Sequence, residues 1–263
     1  MLLDARKVTK AFGAFKAVDE ASVAVEAGEV LGLIGPNGAG KSTFFNCLTG
    51  DLYPTSGSVH FEGRDVTGLT PEQRARRGIA RTFQVPLTFQ SMSVLDNVMI
   101  GAFLRYPGAA AARAKARQVI GDVGLGPLAD APAKTLGTPG RKRLEIARAL
   151  ASEPKVLLLD EAMAGLTPTE IRTAIDLVRQ IHGTGITLVI VEHIMEVIVS
   201  LASRVVVFHQ GKEIARGTPQ EVTRNERVIE AYLGKRHAAK LSGGAARPCR
   251  CSRSAIWRCA TAI

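Results

Sequence analysis

Several features are scarce in this sequence of 263 residues, and each scarcity excludes a class of protein. No apolar run approaches the ~18 residues of a membrane span, and the N-terminus lacks the apolar stretch of a secretory signal. Of four cysteines, three lie in the last fifteen residues at spacings that suit no zinc site, and Cys47 is alone in the body. The sequence therefore argues against an integral membrane protein or a disulfide-rich secreted one, and we expect a cytosolic chain.

Acidic residues are missing from the end of the chain. From Lys235 onward there are seven Lys or Arg and no Asp or Glu, which leaves 27 basic against 24 acidic residues before it. The net charge of +10 therefore does not predict nucleic-acid binding by the body of the chain. The segment 235–263 has the composition of a disordered tail. It is interpreted as a solvated extension, a read-through or frameshift product, or a weak ligand for anionic lipids.

The strongest positive feature is a phosphate-binding loop. Gly35 to Ser42 read Gly-Pro-Asn-Gly-Ala-Gly-Lys-Ser and match the pattern Gly-x4-Gly-Lys-[Ser/Thr]. The apolar run Val30–Ile34 predicts a strand before the loop, and 42–48 predict a helix after it. Glycines let backbone amides surround an anion, the helix N-terminus adds partial positive charge, and Lys41 reaches the β- and γ-phosphates. The loop predicts binding of a nucleoside triphosphate.

A second motif places carboxylates at the end of an apolar strand. Val156 to Leu159 are followed by Asp160 and Glu161. The carboxyl end of a strand in an open parallel sheet is where ligands bind, so Asp160 is expected to hold Mg2+. Glu161 is placed to orient or deprotonate an attacking water.

The periodicity of the chain changes twice. Short apolar runs in residues 1–84 predict an antiparallel element, and residues of about 86–152 are mainly helical in pattern. After Val156, apolar runs separated by helical stretches predict buried parallel strands. The predicted fold class is α/β, with a P-loop NTPase core of mostly parallel sheet, an antiparallel β subdomain and an inserted helical subdomain.

The order of motifs resembles the ABC-type ATPase subunits over residues 2–234. After the phosphate loop come Gln84, the helix Leu144–Leu150 with Ala-Arg-Ala-Leu, the Asp160-Glu161 pair and His193. The resemblance implies ATP and Mg2+ as cofactors. It implies catalytic roles for Gln84, Glu161 and His193, and Mg2+ binding by Ser42, Gln84 and Asp160. The nucleotide-binding residues it implies are Phe12, Gly35, Pro36, Asn37, Gly38, Ala39, Gly40, Lys41, Ser42 and Thr43.

Alternatives remain for three of these roles. Phe12, which is expected to stack on adenine, could instead pack in the core. Gln84 could be a solvated loop residue, and His193 could cap a helix.

Further sequences resemble the ATPases of branched-chain amino-acid uptake systems, notably 78–84, 92–97, 143–148, 164–168 and 217–222. That resemblance implies permease partners in the membrane, an external solute-binding protein, a second ATPase subunit as heterodimer or homodimer, and a peripheral location on the cytoplasmic face of the inner membrane. It implies no nucleic-acid partner. The alternatives are an exporter ATPase, for example for lipids, and a soluble ABC ATPase of DNA repair or translation.

Two positions depart from the family. The signature Leu-Ser-Gly-Gly-Gln is replaced by Leu136-Gly-Thr-Pro-Gly140, which lacks the serine hydroxyl and one backbone N–H. The alternative is that Thr138 supplies a hydroxyl from one position away. Thr167 stands where the family has an aspartate. The closer copy Leu241–Ala245 lies in the tail without a following helix, and we interpret it as coincidence.

The segment from Val85 to about Val98 is expected to dock the permease through Leu87, Phe89 and Met92. The alternative is that these three side chains pack inside the helical insert.

Overall fold

The apolar runs of the sequence form two sheets in the computed structural model, which describes residues 1–233. The strands are β1 (Leu3–Phe12), β2 (Phe15–Val25), β3 (Val30–Ile34), β4 (Ser56–Phe61), β5 (Arg64–Asp65), β6 (Ile79–Arg81), β7 (Val156–Asp160), β8 (Thr187–Val191), β9 (Arg204–His209) and β10 (Lys212–Gly217). The α-helices are α1 (Lys41–Thr49), α2 (Pro71–Arg77), α3 (Val94–Ala102), α4 (Ala109–Asp122), α5 (Thr138–Leu150), α6 (Pro168–Gly183), α7 (Met195–Leu201), α8 (Pro219–Arg224) and α9 (Glu226–Leu233). Short 3-10 turns cover Gly126–Leu128 and Ala133–Thr135.

The smaller sheet is antiparallel, as predicted. Its strand order is β2-β1-β4-β5, and β1 pairs with both β2 and β4. Alternate side chains of these strands are buried, which is the pattern of a sheet with one face on the core. Phe61 of β4 packs in the same apolar cluster as Phe44 and Phe45 of α1, so this sheet supports the helix that follows the phosphate loop.

The larger sheet has the order β10-β9-β3-β8-β7-β6. Its strands from β9 to β6 are parallel, and β10 is antiparallel to β9. The strands β3, β7 and β8 are buried at every position, which confirms the predicted parallel core. Because these strands are parallel, the residues that follow β3, β6, β7 and β8 meet at one edge of the sheet.

The strand before Gln84 is short, because β6 ends at Arg81. The amide of Thr82 still donates to the carbonyl of Leu158, whereas the amide of Phe83 donates to the side chain of Glu145 on α5. A side chain of the helical region therefore ends the strand and starts the loop that carries Gln84.

The region between 94 and 150 is helical, and its apolar side chains form a cluster of their own. Ser93 caps α3 by accepting from the amide of Asp96. The cluster includes Leu95, Val98, Ala116, Ile120 and Leu144. The boundaries 86–152 of the helical insert stay a prediction.

A buried arginine fixes the far end of α1. Arg74 of α2 is fully buried, and its Nη1 donates to the carbonyls of Cys47 and Leu48 at 2.7 Å each. Its other guanidinium nitrogens donate to the carbonyls of Thr67 and Leu69. Burial raises the pKa of the neighbouring Cys47 thiol to about 11, so this cysteine is a packed apolar group and not a nucleophile.

Two earlier expectations fall outside the described residues. These are the domain end at 234 and the tail 235–263, which includes Leu241–Ala245. Within residues 1–233, none of the helices has the length and apolar character needed to cross a membrane.

Candidate functional site

The loop between β3 and α1 has the backbone geometry of an anion cradle. Gly35, Gly38 and Gly40 have φ of 152°, 76° and 96°, a region that favours glycine. A Cβ at Gly35 would overlap the carbonyl oxygen of Phe208, and one at Gly40 would overlap that of Ala17. Gly35 and Gly40 therefore cannot be replaced without moving neighbouring backbone. The loop ends at the N-terminus of α1, whose free amides attract negative charge.

Lys41 is held at the inside of this loop. Its ammonium donates to the carbonyls of Gly35 at 2.7 Å and Pro36 at 3.0 Å, and the residue is buried. Burial lowers the pKa of Lys41, and the carboxylates of Glu161 and Asp160 act in the opposite direction. Two carboxylates thus favour the charged form of Lys41, the form that pairs with phosphate oxygens.

Asp160 ends β7 next to an arginine to which the sequence had assigned no role. It is buried, and its Oδ2 lies 3.4 Å from Nη2 of Arg81. The same guanidinium binds Asp51 at 2.7 Å and Asn46 at 2.8 Å, and its carbon lies 4.4 Å from the ring centre of Phe83. Burial raises the pKa of Asp160, while Arg81 lowers it. Arg81 therefore joins α1, β7 and the segment that leads to Gln84.

Glu161 is brought together with Gln84 and His193. Nε2 of Gln84 donates to Oε2 of Glu161 at 2.6 Å, and Nδ1 of His193 lies 3.9 Å from Oε1. Glu161 has φ of 44°, a left-handed conformation that is uncommon for a side-chain-bearing residue, and its amide donates to the carbonyl of Val191. Strained backbone of this kind is concentrated at functional sites.

Two alternatives for this group are now decided. Gln84 is not merely solvated, because its side chain binds Glu161. His193 does not cap α7, because Ile194 occupies that position.

The oxygen donors at this edge suit Mg2+. The predicted ligands are the Ser42 hydroxyl, the Gln84 amide oxygen and the Asp160 carboxylate, all of them hard oxygen ligands. Mg2+ in nucleotide sites takes one or two such protein ligands and completes its shell with phosphate oxygens and water. Residues 1–233 contain no cluster of three or more His, Cys, Asp or Glu suited to an all-protein metal site.

Phe12 does not pack in the core. It ends β1 with 51% of its surface exposed, and Nζ of Lys10 lies 5.3 Å from its ring centre. The core alternative is therefore wrong, and its stacking on adenine stays a prediction.

The altered signature forms the start of α5. Leu136 is buried in the helical cluster, Gly137 is the N-cap without a side-chain hydrogen bond, and Pro139 lies in the first turn. A proline is tolerated there because the first amides have no partner within the helix. Compared with the family signature, the start of α5 therefore lacks one free amide and the serine hydroxyl. The helix is intact, but two hydrogen-bond donors are missing from its exposed end.

Thr167, at the position of the family's aspartate, caps α6. Its hydroxyl accepts from the amide of Glu170, and the Glu170 carboxylate accepts from the amide of Thr167. The substitution thus supplies a capping box to the helix.

The predicted docking segment divides into two parts. Leu87 and Phe89 are 55% and 49% exposed, and Met92 is half-buried. Val94, Leu95 and Val98 are buried in the helical cluster, so the segment that could dock a partner ends before α3. The alternative, that these three side chains pack inside the insert, is wrong for Leu87 and Phe89, and the half-buried Met92 lies between the two cases.

Comparison with known proteins gives consistent matches. The ABC transporter family model matches residues 18–164, and the model of branched-chain amino acid ATP-binding cassette transporters matches 212–238. The chain is 37% identical over 242 residues to the high-affinity branched-chain amino acid transport ATP-binding protein LivG of Salmonella typhimurium, covering 85% of this chain and 94% of that protein.

Two further proteins show how widely this fold is shared. The lipopolysaccharide export system ATP-binding protein LptB of Acidithiobacillus ferridurans is 35% identical over 233 residues, covering 89% of this chain and 97% of LptB. A crystal structure of an ATP-binding cassette of an ABC transporter in its ADP conformation has a TM-score of 0.81 and 33% identity, covering 89% and 99% of the two chains.

Proposed function

The chain belongs to the ABC transporter family of ATP-binding proteins, whose members are ATPases, and on that premise we propose that it powers an importer of branched-chain or other hydrophobic amino acids. One observation supports ATP hydrolysis by this chain. Beside the phosphate loop, the larger sheet brings together four side chains, those of Gln84, Asp160, Glu161 and His193. The choice of solute class rests on the similarity to LivG, because the solute does not contact an ATPase subunit.

The residues have distinct tasks in this proposal. The loop amides and Lys41 bind the β- and γ-phosphates, and Phe12 stacks on adenine. Ser42, Gln84 and Asp160 hold Mg2+, which neutralises phosphate charge when bound. Water attacks the γ-phosphorus, the bond to the bridging oxygen of ADP breaks, and the proton of the water passes to Glu161.

His193 and Gln84 complete the arrangement. His193 donates to a γ-phosphate oxygen, and Gln84 keeps the carboxylate of Glu161 oriented through the 2.6 Å hydrogen bond. Gln84 lies at the start of the exposed segment with Leu87 and Phe89, so it is also placed to report the state of the nucleotide to a partner.

The proposed assembly contains two permease subunits, two ATPase subunits and an external solute-binding protein, with this chain peripheral on the cytoplasmic face of the membrane. The two ATPase subunits enclose ATP between the phosphate loop of one and the signature of the other. The altered signature favours a heterodimer over a homodimer.

A lipid exporter is the second candidate, and the similarity to LptB is the observation in its favour. Import is preferred because a model specific to branched-chain amino acid transporters matches 212–238. A soluble ABC ATPase is disfavoured because such proteins typically have a long coiled-coil insertion or two fused ATPase domains.

The test is uptake of radiolabelled leucine by source cells that lack the chain. The wild-type gene is expected to restore uptake, and Glu161→Gln is expected not to. Unchanged leucine uptake together with a defect in lipid export would replace this proposal by the exporter.

A further inference from the structure

Three charged side chains lie on one face of α5. Lys142, Glu145 and Arg148 are spaced by three residues, which places them along one side of the helix. Lys142 and Glu145 are buried and Arg148 is half-buried, so none of them forms an ordinary solvated charge. Charged side chains are seldom buried without specific partners. We call these three residues the polar stripe.

Each member of the polar stripe binds main-chain atoms of the catalytic segments. Nζ of Lys142 donates to the carbonyl of Glu161 at 3.0 Å. Oε1 of Glu145 accepts from the amide of Phe83 at 3.0 Å, and Nη1 of Arg148 donates to the carbonyl of Leu87 at 2.5 Å. The helix is thereby fixed to the residue that carries the catalytic carboxylate and to the loop on both sides of Gln84.

A buried glutamate binds the same segment. Glu192 is fully buried, and its Oε1 accepts from the amide of Met163 at 2.9 Å. Its Oε2 has no hydrogen-bond partner within residues 1–233. Burial raises the pKa of Glu192 to about 7, and the ammonium of Lys142 opposes that rise. The stretch from Glu161 to Met163 is therefore bonded at its first residue by Lys142 and at its last by Glu192.

We propose that Lys142, Glu145 and Arg148 are positioning residues, because their bonds to the main chain of Glu161, Phe83 and Leu87 hold Gln84 in place relative to Glu161. The proposal rests on the proposed function, because that function gives Gln84 and Glu161 their catalytic roles.

Glu145 offers the sharpest test because two substitutions separate its hydrogen bond from its volume. E145M fills similar space but removes the acceptor for Phe83, whereas E145Q keeps an acceptor oxygen. We measure kcat and KM for ATP with the full chain, and the Kd of a fluorescent ATP analogue. All variants are made in a background with G137S, T138G and P139G, which restores the family signature at 137–139, so that basal turnover is high enough to compare. E145M is expected to lower kcat about ten-fold or more, because displacement of a catalytic group by ~1 Å can cost ~100-fold.

The expected pattern has three further parts. KM and Kd stay unchanged in E145M, E145Q recovers most of the lost kcat, and K142M reproduces the kcat effect at the Glu161 end. R143M is the matched control, because Arg143 is the neighbouring cation on the same helix and lies beside Gly124.

Several results would overturn the proposal. These are a wild-type kcat in both E145M and K142M, a KM that rises in proportion to the loss of kcat, or an equal loss in R143M. If E145M does not fold, K142M decides. E161Q separates this question from the proposed function. If E161Q hydrolyses ATP at the wild-type rate, the proposed function is wrong. If E161Q is inactive while E145M and K142M have the wild-type kcat, only the positioning role is wrong.

Discussion

Gln84 donates its side-chain amide to the carboxylate of Glu161, with 2.6 Å between Nε2 and Oε2, although the two residues are 77 positions apart. They follow β6 and β7, which are neighbours in the larger sheet. The bond occupies one carboxylate oxygen, and the other lies 3.9 Å from Nδ1 of His193. The carboxylate is thus oriented between an amide and an imidazole, as a group that accepts a proton from water requires.

The first prediction concerns this carboxylate. Glu161→Gln is expected to lower ATP hydrolysis by about 100-fold or more while ATP binding persists, because an amide cannot take the proton and general bases contribute ~100- to 10,000-fold. Single-turnover hydrolysis and chromatography of the bound nucleotide measure both effects. Glu62→Gln, which alters an exposed carboxylate paired with Lys155, serves as the control. Hydrolysis at the wild-type rate would show that Glu161 is not the base or orienter.

The sequence was sufficient for the parts of the fold that depend on local patterns. The phosphate loop requires glycines at fixed spacing, and continuous apolar runs such as Val156–Leu159 are typical of buried parallel strands. Both predictions are confirmed in the structure. The antiparallel sheet followed from short strands at close spacing.

Buried charges could not be predicted in this way. Arg74, Arg81 and Lys142 occur in segments rich in Arg and Lys, where a charged side chain is ordinarily solvated. Their partners lie far away in the sequence; Arg81, for example, binds Asp160 from 79 positions away. Nothing local distinguishes such a residue from Arg76 or Arg77. The visible signal was the tetrapeptide Arg-Thr-Phe-Gln at 81–84, which marked the segment but not the role of its arginine.

The second prediction concerns stability. Arg74→Met is expected to lower the free energy of unfolding by about 3 kcal/mol or more, because carbonyls at the end of α1 lose their donor and each buried unsatisfied group costs ~1–3 kcal/mol. Denaturant unfolding measures the change. Arg76→Met on the same helix is the control, since 62% of its side chain is exposed, and it should stay within about 0.5 kcal/mol of wild type. Equal stability of the two variants would contradict the role of Arg74.

The third prediction concerns coupling to the permease. Phe89→Glu is expected to reduce leucine uptake about ten-fold or more, because a charge on an exposed apolar anchor disrupts docking, while the Kd for ATP stays unchanged. Val199→Glu provides a matched control, because Val199 is 48% exposed on α7. Uptake and nucleotide binding are measured for both variants. Weakened ATP binding in Phe89→Glu would instead indicate that the ring supports the nucleotide site.

The fourth prediction concerns the altered signature. One nucleotide site uses this subunit's own phosphate loop, and it is expected to be active when a partner supplies an intact signature. The other site uses the partner's phosphate loop and is completed by Leu136-Gly-Thr-Pro-Gly140, which lacks donors to the γ-phosphate. Loss of such a donor in a preorganised site costs ~2.7–4 kcal/mol. The chain alone, in which every site uses the altered signature, should therefore be a poor ATPase.

The structure indicates how to restore that signature with the least disturbance. A Cβ at Gly137 would meet only the ring of Pro139 at 3.9 Å, whereas one at Gly140 would lie 3.3 Å from Leu136. The triple change G137S, T138G and P139G is therefore made first, and G140Q is added to it afterwards. The restored chain is expected to hydrolyse ATP at least about ten-fold faster, and Glu161→Gln in that background should abolish the gain.

Thr138→Val in the unrestored chain tests whether the Thr138 hydroxyl already replaces the serine. Equal turnover before and after restoration, or a large loss in Thr138→Val, would contradict the asymmetry and show that the altered loop is functional.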